Sequence, residues 1–347
     1  MAVAVAASPL PQEHQHDHHQ HHEAKRAVVT VTNWVTVDGN VQAATTTAES
    51  PASVPTTLAT SAVAGTSVAG SASSAAASSS SGSSYTGGSS GAAGAKGITY
   101  SPYNADGTCK SASEVKSDVS QLSGFDIIRL YGVDCNQVPN VLAAKSSSQK
   151  IFQGIFDVSD ISGAVSTIKS AVEATDGGWD NIYTISVGNE LVNSGSASVS
   201  QIGQYVSTAK SALTAAGYSG PIVSVDTFIA VINNPGLCEF SDYMAVNAHA
   251  FFDGNVEAPD AGAWVLLQIQ RVWSACGGKK DVFITETGWP SRGDANNKCV
   301  PSEANQSAAI SSIKASAGDS CILFNAFNDL WKANGPFNAE KYWGILN

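Results

Sequence analysis

From Gly97 onward, short aliphatic and β-branched runs alternate with longer amphipathic segments, and this alternation leaves few folds open. The strand candidates are Ile98–Pro102, Ile127–Tyr131, Ile151–Phe156, Ile182–Val187, Ile222–Asp226, Tyr243–Asn247, Val282–Thr285 and Ile322–Phe327. Helical spacing lies between them at Ser113–Leu122, Ile161–Ala174, Val199–Ala216, Gly262–Ser274 and Glu303–Ala315, while Phe228–Phe240 has room for only a short helix. Eight such units in about 250 residues imply a (β/α)₈ TIM barrel, an α/β fold whose sites form at the carboxyl ends of the strands. A dinucleotide-binding sheet would want a glycine-rich turn after its first strand, and Ser101-Pro102-Tyr103-Asn104 is not one.

Before Gly97 the composition changes. Residues 43–95 are Ser, Thr, Ala and Gly with a few Pro, too poor in apolar bulk to offset the entropy of ordering. The chain therefore divides into a segment 1–26, a low-complexity linker 27–96 and one folded domain, 97–347, preceded by a disordered leader. Residues 1–12 have an Ala/Val start without a basic n-region, which reads as a truncated or mis-started signal peptide. Six of the seven histidines lie between Gln12 and His22, just before the dibasic pair Lys25-Arg26. Cleavage there would remove the whole tract, so it reads as a solvated pro-segment rather than a metal site. Val28–Val41 alternates Val with Thr and Trp and could form a strand or short hairpin, but no partner is near it.

The net charge of −11 argues against nucleic acid or an anionic membrane as partner, since both need a basic face. Six cysteines beside a serine-rich leader favour an oxidising compartment and disulfides. In a barrel, Cys109 and Cys135 follow strand ends and could bridge adjacent loops, and Cys238 and Cys276 precede strands six and seven at the opposite face. Cys299 and Cys321 fall near opposite ends of the barrel, too far apart for a bond. The lack of CxxC or paired Cys/His spacing argues against a zinc site. Asn305-Gln306-Ser307 is the one acceptor for an N-linked glycan.

Two strands end on glutamate: Ile182–Glu190 closes on Val187-Gly188-Asn189-Glu190, and Val282–Pro290 carries Thr285-Glu286-Thr287-Gly288-Trp289-Pro290. In order and separation these resemble the two active-site signatures of the family 17 glycoside hydrolases, over roughly residues 97 to 347. The composition is similar to that of the fungal cell-wall branch, secreted mannoproteins with a Ser/Thr/Ala-rich leader. The resemblance implies a retaining enzyme that cleaves or transfers β-1,3-glucan of the fungal wall, outside the cell, as a monomer and without metal or organic cofactor. The alternatives are a retaining barrel on another β-glucan or mannan, and a non-catalytic wall mannoprotein or adhesin. An O-mannosylated linker fits a secreted fungal protein. No GPI anchor is expected from the ending Trp343-Gly344-Ile345-Leu346-Asn347.

The family pattern implies Glu190 as acid/base and Glu286 as nucleophile, because the glycosidic oxygen must be protonated as the anomeric carbon is attacked. By the same analogy the Asn189 amide bonds the sugar's 2-hydroxyl or steadies the nucleophile. Arg129 could hold Glu286 ionised or form an ion pair in the barrel core. His249 stands where plant relatives commonly carry Tyr-Pro, so its role is either a hydrogen bond behind the acids or loop packing. Among the aromatics that follow strands, Trp289 and Trp331 are the first candidates for stacking on sugar rings. Tyr103, Phe156, Phe228 and Phe251 are further candidates.

Overall fold

The computed structural model describes residues 93–346. The expectations for the histidine tract, the Lys25-Arg26 site, Val28–Val41 and the linker as far as residue 92 lie outside the described residues.

Eight parallel strands close a barrel in sequence order. They are β1 (Gly97–Thr99), β2 (Ile127–Leu130), β3 (Lys150–Ile155), β4 (Ile182–Val187), β5 (Ile222–Thr227), β6 (Met244–Asn247), β7 (Val282–Thr287) and β8 (Cys321–Leu323). Closure runs through Gly97 opposite Ile322 and Ile98 opposite Leu323. The crossovers are α1 (Ala112–Ser120), α2 (Gln137–Ala144), α3 (Ile161–Glu173), α4 (Val199–Ala215), α5 (Phe228–Asn233), α6 (Ala261–Ala275) and α7 (Glu303–Ala317). The segment before β3, for which the sequence shows no clear helical bounds, forms α2. It is only 8 residues long and carries Pro139 near its start, too little for a clear helical period. The last strand stops at Leu323 rather than Phe327. Beyond it the backbone turns to other partners, with Asn325 N–H donating to Trp343 and Ala326 N–H to Thr99.

Alternation along the strands sorts side chains into two cores. Ile98, Ile128, Ile151, Ile185, Val246 and Ile284 face the helices. Ile127, Phe152, Val223, Val225, Tyr243, Ala245, Phe283 and Ile322 fill the barrel's interior. Continuing the inward rows toward the carboxyl ends brings polar side chains: Arg129 and Tyr131 after Ile127, and Asn247 after Tyr243 and Ala245. The interior thus changes from apolar to polar where a site can form. A Cβ on Gly154 would collide with the Tyr131 carbonyl, so glycine there lets β3 lie close against the end of β2.

The four residues before Gly97 also pack on the barrel. Ala95 is fully buried, Lys96 N–H donates to Gly318, and Lys96 Nζ lies 2.8 Å from Asp126. Disulfides join Cys109 to Cys135 and Cys238 to Cys276, with Cα separations of 5.2 and 5.6 Å. Cys299 and Cys321 are free and buried.

Candidate active site

Glu286 lies within β7 and Glu190 three residues past the end of β4, both at the carboxyl ends of the strands. Strict alternation after Phe283 and Thr285 would turn Glu286 toward the helices. The β6–β7 register shifts at this point, so that Asn247 pairs with Glu286 directly after Val246 pairs with Ile284. This bulge turns Glu286 into the barrel mouth as well, a common use of irregular pairing beside a site. Thr285 stays inward and donates its hydroxyl to Asn247 Oδ1 at 2.8 Å. Glu190 reaches the mouth through a turn in which Gly188 has φ +72° and Glu190 itself φ +54°.

One connected network joins the two acids. Arg129, 1% exposed, donates from Nη1 to Glu286 Oε1 at 2.9 Å and to the Thr285 carbonyl at 2.8 Å. Its Nη2 donates to Asn189 Oδ1 at 2.9 Å, which orients that amide. The Tyr131 hydroxyl donates to Glu286 Oε1 at 2.8 Å, and the Tyr131 ring centre lies 4.5 Å from the guanidinium carbon. His249 Nε2 sits 3.2 Å from Glu286 Oε2, with its ring edge-on to Phe324 and Trp343. On the other side, Asn247 Nδ2 donates to Glu190 Oε1 at 2.8 Å, while its Oδ1 accepts from Arg129 at 3.2 Å.

These surroundings drive the acids apart. Burial, then the charge of Glu286, raises Glu190 to about 8, against the lowering effect of the Asn247 hydrogen bond. Burial would raise Glu286 too, but Arg129, His249 and the Tyr131 hydroxyl outweigh it and bring the group down to about 2. At neutral pH the mouth therefore presents one protonated carboxyl and one carboxylate. Pairs of acids separated in this way are suited to general acid and nucleophile roles.

Glu190, Glu286, Asn189, Arg129 and His249, all expected in the site, meet here. Tyr103 and Trp331 form a separate pair on the loops after β1 and β8, ring centres 4.7 Å apart. The Tyr103 hydroxyl donates to Asp134 at 2.7 Å, and Trp331 Nε1 donates to Asp329 at 3.1 Å. Trp289 requires a correction: it is fully buried, its indole N–H donates to the Val300 carbonyl, and it offers no face to a sugar. Phe251 is fully buried too, whereas Phe156 is 40% exposed. Tyr131 and Asn247 were not among the expected site residues, although the inward rows from Ile127 and Tyr243 lead to both. Among the described residues no group of three or more His, Cys, Asp or Glu is placed to hold a metal ion.

The family model described as BtgE/BtgC glycoside hydrolase domain matches residues 97–344. The cell surface mannoprotein MP65 of Candida albicans is 69% identical over 257 residues, 74% of this chain and 68% of that protein. The probable family 17 glucosidase SCW10 of Saccharomyces cerevisiae is 70% identical over 256 residues, 74% of this chain and 66% of that protein. The chain thus spans about two thirds of the length of these yeast relatives. Among solved structures it is similar in fold to an active-site mutant of Rhizomucor miehei β-1,3-glucanosyltransferase in complex with laminaritriose. That likeness has a TM-score of 0.63 at 21% identity and covers 74% of this chain and 94% of that one.

Proposed function

The chain belongs to the BtgE/BtgC glycoside hydrolase family, and from that premise we propose that it is a secreted retaining enzyme of the fungal cell surface that cleaves or transfers β-1,3-glucan. The observation that carries this reading is the pair of carboxyls held in opposite protonation states by one hydrogen-bonded network. The cell-surface location follows the name of the Candida relative, and the linkage follows the name of the Rhizomucor β-1,3-glucanosyltransferase and the laminaritriose of its complex. The enzyme works as a monomer, and its carboxyls suffice without a cofactor.

Glu286 attacks the anomeric carbon while Glu190 gives its proton to the departing glycosidic oxygen. One C–O bond breaks as the bond to Glu286 forms, leaving Glu190 ionised. Glu190 then takes a proton from an incoming water or sugar hydroxyl, whose oxygen displaces Glu286 and restores the original anomeric configuration. Arg129, Tyr131 and His249 hold the nucleophile anionic and fixed in direction. The Asn189 amide, with its oxygen taken by Arg129 and Asn247, keeps its nitrogen to donate to the substrate. Tyr103 and Trp331 offer an aromatic surface to a sugar ring further along the chain.

Azide separates the two roles on an activated aryl β-glucoside. In Glu190→Ala the covalent intermediate still forms at Glu286, and azide, needing no base, rescues turnover as the β-azide. In Glu286→Ala azide attacks from the vacated side and gives the α-azide. Each variant should lose at least ~10²-fold on glucan, the usual scale for one acid or base. The same anomer from both variants would reject the assignment.

A further inference from the structure

We infer that Asp226 is the positioning residue of the acid, its carboxylate at the end of β5 fixing the turn that carries Glu190. This rests on the reading of Glu190 as acid/base. The turn has little regular structure to hold it. Glu190 has φ +54°, in the left-handed region that a residue bearing a side chain seldom adopts without support from its surroundings. Support from outside the turn adds to its internal backbone bonds, such as Ser194 N–H to the Glu190 carbonyl at 2.9 Å.

Asp226 supplies that support. It is 4% exposed, and its Oδ2 accepts the Val192 N–H at 2.8 Å while Oδ1 accepts the Asn193 N–H at 3.1 Å. Oδ1 also accepts its own neighbour's amide, Thr227 N–H, at 2.8 Å. The next side chain fastens the same loop, the Thr227 hydroxyl donating to Asn193 Oδ1 at 3.1 Å. Glu190 N–H donates to the Val225 carbonyl at 3.0 Å, so three successive residues of β5 hold the loop from one side. All three groups that meet the Asp226 oxygens are N–H donors, which an ionised carboxylate satisfies and an asparagine cannot, since its amide would set N–H against N–H.

The same placement acts on the acid's proton. Glu190 is faced by Glu286 from β7, Arg129 from β2, Asn247 from β6 and Asp226 from β5. Behind burial and Glu286, the charge of Asp226 helps keep Glu190 protonated. One side chain thus sets both the direction of the acid and its hold on the proton.

The test uses the full chain and aryl β-glucosides of a β-1,3-linked disaccharide whose leaving groups range from dinitrophenol to unsubstituted phenol. A misplaced acid matters only where the departing oxygen needs a proton. Asp226→Asn should lose at least ~10-fold in kcat/KM on the phenyl substrate, a fraction of a full acid's contribution, and less than ~3-fold on the dinitrophenyl one. Its basic pH limb should move to lower pH, because a negative charge near Glu190 is gone. If the asparagine variant does not accumulate, Asp226→Glu, one methylene longer, is read for the same leaving-group-dependent loss. Equal losses on all leaving groups, or none, would overturn the inference. Glu190→Ala is run beside it. A flat response there rejects Glu190 as acid, whereas a steep response there with a flat one in the Asp226 variant rejects the positioning role alone.

Discussion

Arg129 and Glu286 lie 157 residues apart in the chain, yet Nη1 and Oε1 are 2.9 Å apart and both side chains are buried. The pair leaves the carboxylate with a fixed partner on Oε1. His249 meets the other oxygen, so the position of this carboxylate is determined on both sides. A buried ion pair of this kind is costly to break from one end, because the remaining charge has no water to turn to.

Arg129→Met should therefore destabilise the domain by about 3–5 kcal/mol at neutral pH. Glu286 loses the cation that depresses it, so its pKa rises and the acidic limb of kcat/KM moves to higher pH. The stability contributed by the pair is present above the ordinary glutamate range and lost as pH falls from about 4.5 toward about 2. Denaturant titration of both proteins across that window should show the difference between them shrinking. A constant difference would mean that Arg129 acts through packing alone.

Glu190 predicts the opposite slope. Its carboxyl is raised from 4.5 to about 8, so the unfolded chain ionises first and stability falls as pH rises through that interval. Glu190→Gln removes this dependence. Allowing for the partial exposure of the site, the variant should gain on the order of 2 kcal/mol over the wild type at pH 8 and little at pH 4.5. Parallel melting curves at both pH values provide the check.

The two tryptophans should separate cleanly. Trp289→Ala deletes a fully buried indole and should cost about 3–5 kcal/mol of stability. Trp331→Ala removes half of an aromatic pair on the β1 and β8 loops, and should raise KM for long oligosaccharides with little change in melting temperature. A melting shift in Trp331→Ala as large as in Trp289→Ala would place Trp331 in the core rather than at the substrate.

The Cys109–Cys135 bond joins the loop of Tyr103 to that of Asp134, the residue that accepts the Tyr103 hydroxyl. Replacing both cysteines with serine should lower stability by about 3 kcal/mol, as expected for a closed loop of this length. The network around the acids does not include this bond, so KM should rise several-fold and kcat change less. Steady-state kinetics on laminarin oligosaccharides would show whether the loss falls on kcat instead.

Much of the architecture was legible because it depends on local periods. The strand Ile182–Val187 coincides with β4, and the two disulfides join the cysteines that the barrel's faces bring together. Glu190 and Glu286 stood out because each follows a short apolar run and breaks it with glycine. Helix α2 escaped because eight residues hold about two turns, too few to display a period. Trp289 was misplaced because a large aromatic after a strand is equally at home in a groove or a core, and only the neighbours decide.

The eightfold alternation and the two acids can be read from residues near one another in the chain, and the cysteines able to pair follow from the barrel that this alternation implies. Tertiary structure alone decided which acid is neutral and which charged. Protonation is set by burial and by groups from other strands: Arg129 and Tyr131 on one side of the barrel, Asn247 and His249 on another, Asp226 beneath the turn. The register shift that turns Glu286 inward is likewise a property of two strands together. A chain read one residue at a time carries the charges, but the distances and the dielectric that give them meaning arise only when the barrel closes.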